Sequence, residues 1–213
     1  MSRESMNQIL KTKQFMKIML ITLCVLLGLL IISQIVITMS TNKTETQSFK
    51  LIQKEEDFEI RYYPASTMAK VTSNIKSYKD LGSSGFGTLA KYIFGGNKEN
   101  KQISMTSPVH MEIGDSVSSV SFVMPNKFNK DNLPSPNNPN VIIETVEAEY
   151  VAVITFSGFA SESDIKKNKE LLIEYLNKKG ISYHGNFRFL GYNPPYQLFR
   201  RRNEVVVTVD INS

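Results

Sequence analysis

Leu133-Pro134-Ser135-Pro136-Asn137-Asn138-Pro139 is the stretch from which the fold can be read. Its prolines deny the chain both helical continuation and ladder donors, so it reads as a rigid connector. The segments on either side of it are alike. Upstream, Phe58 to Tyr63 reads as a strand with Phe58, Ile60 and Tyr62 on one face, and Met68 to Val71 as a second. A helix begins at Ser77 or Asp80, carries Leu81, Thr88, Leu89, Tyr92 and Ile93 on an apolar side, and stops at Gly95-Gly96-Asn97. Strands from Ile103 to Ile113 and from Val117 to Met124 follow, around Gly114-Asp115. Downstream come strands Val141 to Val146 and Tyr150 to Phe156. A helix capped by Ser161 with Asp164 presents Ile165, Leu172, Tyr175 and Leu176 and ends at Gly180. Strands Phe187 to Tyr192 and Val205 to Ile211 close the chain. This weak internal repeat predicts an α+β domain over residues 49–213. The simplest packing is two antiparallel sheets that join or face each other, one helix to each half. A groove between helix and sheet would suit an apolar ligand.

Ahead of the domain lies an uncharged apolar run, Ile18 to Met39. As a helix it would extend roughly 33 Å, enough to cross a bilayer core. It is longer than the apolar region of a cleaved signal peptide, and no Ala-x-Ala follows it. Cys24 lacks the small preceding residue and polar sequel of a lipoprotein site. The run therefore reads as an uncleaved transmembrane anchor over residues 18–39. Residues 1–17 form a short N-terminus and residues 40–48 a polar tether. Lys11, Lys13 and Lys17 crowd the N-terminal flank, while Glu55, Glu56 and Asp57 follow the C-terminal one. Basic flanks stay cytoplasmic, so the domain is expected on the extracytoplasmic side.

The formal charge of +5 belongs largely to this tail: residues 1–48 carry a net +3, and the remainder 20 basic against 18 acidic residues. A near-neutral domain with no basic-aromatic motif argues against a nucleic-acid partner. One cysteine, inside the apolar run, excludes an intramolecular disulfide and a thiol site in the soluble part. Neither zinc spacing nor a phosphate-binding glycine loop is present, and His110 and His184 have no nucleophile motif beside them. The expectation is therefore a binding protein and not an enzyme.

Seven stretches occur in one order: Phe58-Glu59-Ile60-Arg61-Tyr62-Tyr63, Gly85 to Asn97, Met105-Thr106-Ser107-Pro108-Val109, Phe122-Val123-Met124-Pro125, Phe156-Ser157-Gly158, Gly191-Tyr192-Asn193-Pro194-Pro195 and Arg201-Arg202-Asn203-Glu204-Val205. Together they resemble the SOUL heme-binding family, and the anchored arrangement resembles its membrane-tethered bacterial members. The resemblance implies a pseudo-twofold, distorted antiparallel β barrel flanked by two helices. It also implies non-covalent affinity for heme or a related tetrapyrrole and no settled reaction; binding, storage or transfer is the expected role.

The family's groove runs along the first helix and the loop before the last strand. Carried onto this chain, it implicates Phe86, Ala90 and Phe94 as apolar wall and Lys91, Arg200, Arg201 and Arg202 as propionate partners. The structural alternative for the arginines is an edge-strand charge cluster or an Arg202–Glu204 network. Some members carry a histidine in the first strand; Tyr62 stands there here. Tyr62 and His110 are thus the weak candidates for an iron ligand, with Met105 and His184 weaker still. Two other functions stay open. One is a tethered module for another apolar molecule or a protein partner, since paired-half folds also resemble multidrug effector-binding domains. The other is an uncharacterised heme-modifying enzyme.

Overall fold

A computed structural model describes residues 3–211. Helix α1 (Arg3–Asn42) stands first, and from Lys11 to Asn42 it is long and apolar enough to cross a membrane. Then come β1 (Glu45–Thr46), β2 (Lys50–Lys54), β3 (Glu59–Tyr63), β4 (Ser66–Ser73), α2 (Tyr78–Ile93), β5 (Thr106–Ser107), β6 (Val109–Glu112) and β7 (Ser118–Val123). Beyond the proline connector lie β8 (Ile142–Val146), β9 (Glu149–Ser157), α3 (Glu162–Lys179), β10 (Tyr183–Gly191) and β11 (Arg202–Val209).

Of the two expected packings, the sheets join into one, and β1 and β5 form a separate two-stranded pair. Nine strands form a curled antiparallel half-barrel in the order β2-β3-β9-β11-β10-β6-β7-β4-β8. Read outward from the β6–β10 seam, the order is the same in both halves: β10-β11-β9 matches β6-β7-β4. The outermost matching strands are exchanged. Only two residues separate β3 from β4, yet β3 pairs with β9, while β8 pairs with β4. Each half is therefore completed by a strand from the other, which ties the two into one cooperative unit.

Both helices cover one face. Ser77 caps α2 by accepting from the Asp80 N–H, and the Ser161–Asp164 capping box starts α3, which ends on Gly180 in the left-handed region. Leu172 and Leu176 of α3 are fully buried with Ala152, Val205 and Val207. Leu81, Leu89, Tyr92 and Ile93 of α2 meet Ala69, Val120 and Phe122. Met111 packs against both clusters and bridges the seam. Gly85 allows this closeness, since a Cβ there would stand 2.6 Å from Val120 Cγ2.

Local pattern misses some elements. β2 is exposed along its whole length and shows no alternation. The expected strand from Ile103 to Ile113 breaks at Pro108, which has no donor for a ladder. In the segment read as a tether, residues 40–42 continue α1, and Glu45–Thr46 pair in parallel with Thr106–Ser107.

Candidate functional site

Register places five of the seven sequence stretches on one line. Phe156, Asn203, Gly191, Val109, Phe122 and Ala69 are successive partners across β9, β11, β10, β6, β7 and β4. All but Ala69 come from a different one of those stretches. Directly opposed residues share a face, and this line lies on the helix-bearing one. Helix α2, the sixth stretch, lays Phe86 edge-on against Phe122 with ring centroids 5.2 Å apart. At the other end Phe156 approaches Phe189 at 6.4 Å, and Phe189 meets Tyr78 at 6.0 Å. Between these aromatic groups the line is low. Gly191 has no side chain, and the Asn203 amide is turned to the Gly158 carbonyl at 2.8 Å.

The outward side of α2 continues this apolar strip. Phe86 is 42% exposed, Ala90 is half-buried and Phe94, at the C-cap, is 64% exposed. Their four-residue spacing aligns them along one edge of the helix. Gly87 leaves open space, and exposed Lys91 stands in the last turn. A flat apolar ligand with acidic edges can lie on this strip and meet a cation at its rim.

The three arginines divide. Arg200 is exposed, at φ 53°. Arg201 donates from Nη1 to the carbonyls of Pro194 (2.6 Å) and Gln197 (2.7 Å), and its guanidinium lies 4.3 Å from the Phe159 ring centroid. Its buried Nε has no hydrogen-bond partner. Arg202 pairs with Glu204 at 2.6 Å and stacks over Tyr192. Glu204 is fully buried and also receives Arg61 Nη1 at 3.0 and 3.1 Å and the Tyr192 hydroxyl at 2.7 Å. Glu59 completes a balanced set by pairing with Arg61 at 2.6 Å. Burial opposes the charge on Arg61, but Glu204 and Glu59 outweigh it and hold its pKa above the ordinary value. Burial and the Glu204 carboxylate raise the pKa of Tyr192, which stays a neutral donor. Arg202 thus belongs to a structural network. Three strand spacings, roughly 14 Å, separate β11 from β7 beside α2.

Neither ligand candidate faces the strip from α2. Residues of a strand alternate between faces, so Val109 joins the strip while His110 points to the helix-free side. There His110 is buried, with Nε2 2.8 Å from Gln47 Oε1. Burial, and then Arg188, push its pKa down to about 3. Tyr62 sits against Tyr150, centroids 5.1 Å apart, on the far side of β9. His184 is exposed beside Asp210 at 3.4 Å. Half-buried Met105 packs with the α2 core.

A cleft of about 400 Å³ lies at the other end of the sheet, among Ile52, Gln53, Ile60, Ile181, Asp210 and Ile211. Its lining has one acid and no base, which disfavours an acidic ligand.

The strip residues Phe122, Phe156 and Gly191 were not singled out from sequence, although each opens one of the quoted stretches. Arg61 and Gln47 were missed as partners of Glu204 and His110. Their partners are more than sixty residues away, and no local periodicity reports such a pairing.

Comparison with known proteins identifies the family and the fold. A family model described as SOUL heme-binding protein matches residues 44–208. Heme-binding protein 1 of Xenopus laevis is 29% identical over 173 residues, covering 76% of this chain and 90% of its own. Heme-binding protein 2 of Mus musculus is 29% identical over 156 residues, covering 70% and 76%. Among solved structures, the EcmrR C-terminal domain aligns with a TM-score of 0.56 at 10% identity, covering 73% of this chain and 98% of its own; that likeness is one of fold.

Proposed function

The chain belongs to the SOUL heme-binding protein family, whose model matches more than half of it, and from this we propose that it binds heme non-covalently on the strip beside α2 while α1 holds it in a membrane. The observation that carries the reading is the convergence of Val109, Phe122, Phe156, Gly191 and Asn203 on one line across the sheet. Residues of separate stretches meet there beside an exposed apolar edge of α2.

The residues present fit the group. Phe86, Ala90 and Phe94 would offer apolar contact to the macrocycle, and the absence of a side chain at Gly191 leaves room beside it. Lys91 would meet one propionate as a point charge. Arg200, with the unpartnered Nε of Arg201 behind it, would answer the other. Bound heme supplies a redox-active iron. With His110 turned to the opposite face and hydrogen-bonded to Gln47, the chain's contribution is apolar contact and charge, not histidine ligation. The role is binding, storage or transfer of a tetrapyrrole and not catalysis, with the N-terminus in the cytoplasm and the domain on the extracytoplasmic side.

Titration of heme into the detergent-solubilised protein should give a saturable Soret change, which Ala90→Glu should weaken at least about tenfold by placing a charge on the strip. An unchanged affinity in folded Ala90→Glu would move the site elsewhere. Carbonate extraction should leave the full-length chain in the membrane pellet; a shortened soluble product would mean that α1 is cleaved.

A further inference from the structure

The loop between β10 and β11 is bonded to α1 well inside its apolar run. Gln34 donates from Nε2 to the Tyr196 carbonyl at 3.3 Å, and its Oε1 accepts from the Leu198 N–H at 2.9 Å. Two turns on, the Thr41 hydroxyl meets Gln197 Oε1 at 2.9 Å. Over residues 11–42, Gln34 is buried and Gly28, Ile37, Thr38 and Thr41 are half-buried, while the remaining residues are exposed. Gln34 lies five residues before Met39, roughly 7–8 Å inside the end of the run. A glutamine at that depth needs its amide satisfied, and the loop backbone satisfies both ends of it.

The loop's large apolar side chains are exposed. Tyr196 is 63% exposed, Leu198 44% and Phe199 61%, and Phe159 beside Arg201 is 56% exposed. The loop is nevertheless not slack. Arg201 holds the Pro194 and Gln197 carbonyls, Asn193 Oδ1 accepts from the Arg202 N–H at 2.7 Å, and Gln197 is buried. An apolar cluster held outward by a built loop is a surface shaped for an apolar environment. An amphipathic tyrosine beside leucine and phenylalanine suits a bilayer interface.

We propose that residues 194–199 are seated in the interfacial layer of the bilayer that α1 crosses, as a second membrane contact. This rests on the anchoring role of α1. Only two residues separate Asn42 from β1, so the domain cannot lift away from the helix end. The loop leaves the same end of the sheet as Phe122, so the strip beside α2 is held close to the lipid.

The chain contains no tryptophan, which makes single reporters clean. Leu26→Trp, Phe199→Trp and Val117→Trp, the last in the β6–β7 turn at the opposite end of the sheet, are reconstituted as full-length protein in phosphatidylcholine vesicles. Lipids carry a nitroxide at a shallow or a deep acyl position. The expected result is Leu26→Trp quenched most by the deep label, Phe199→Trp quenched at least about twofold by the shallow label, and Val117→Trp quenched by neither. Quenching at Leu26 without quenching at Phe199 overturns the loop contact and leaves the anchor standing. No quenching at Leu26 overturns the anchor, and the loop contact with it.

Discussion

His110 Nε2 lies 2.8 Å from Gln47 Oε1, joining the middle of β6 to the chain segment that leaves α1. Two residues further on, Phe49 lies under the Arg61 guanidinium at 4.3 Å and edge-on to Tyr63 at 5.8 Å. Residues 45–49 therefore lie across the helix-free face of the sheet and help to bury its polar network.

The histidine should make acid stability measurable. Its folded pKa is lowered to about 3 by burial and then by Arg188, against about 6.5 unfolded. The unfolded state therefore binds the extra proton. This contribution is complete above pH 6.5 and is lost as pH falls towards 3, with a slope of at most about 1.4 kcal/mol per pH unit. Urea unfolding at pH 7 and pH 5 should show the wild type losing about 2 kcal/mol more than His110→Asn. Equal losses would mean that His110 is not buried neutral.

Heme affinity should not depend on either histidine. His110 faces away from the strip and His184 is exposed beside Asp210. Folded His110→Ala and His184→Ala proteins should bind within about threefold of wild type, less than roughly 0.7 kcal/mol. A tenfold loss in either one would place an imidazole on the iron.

Lys91 should act through ligand carboxylates. A charged hydrogen bond contributes about 1.5–3 kcal/mol when shielded and less on an exposed helix end. Lys91→Ala should weaken heme by a few-fold to about tenfold and hardly change binding of a porphyrin with esterified propionates. Equal losses for both ligands would assign Lys91 to packing, and no loss for either would remove it from the site.

Two glycines of α2 should respond in opposite ways. At Gly85 a Cβ would lie 2.6 and 2.8 Å from Val120 Cγ2 and Cβ, forcing the helix off β7. Gly85→Ala should cost about 1–3 kcal/mol. At Gly87 a Cβ meets nothing within 4 Å, so Gly87→Ala should gain up to about 1 kcal/mol of helix propensity. Thermal melts of both variants read this directly; similar shifts would mean that α2 does not press on the sheet through Gly85.

The Glu204 network should tolerate loss of a partner poorly. Glu204→Gln leaves the buried Arg61 guanidinium short of charge, at a cost of about 3–5 kcal/mol. A chemical denaturation midpoint close to wild type would show that Arg61 finds water or Glu59 sufficient.

Much of this protein is local in origin. The apolar run, both caps, the glycine stop of α3 and most strands follow from periodicity, capping and proline, because those forces act within a turn or a pair of residues. Seven sequence stretches stand in order, and even Arg202–Glu204 is visible as an i, i+2 pair. Only tertiary structure decided the rest. Antiparallel register brought Val109, Phe122, Phe156, Gly191 and Asn203 to one line and, by the two-residue period of a strand, sent neighbouring His110 to the other face. Pairing across the chain exchanged β3 and β8 between the halves, joined Arg61 to Glu204 and brought Gln34 to the Tyr196–Leu198 loop. These pairings depend on which distant strands meet, and burial of both helices on a single sheet selects that arrangement in a way no local window of sequence contains.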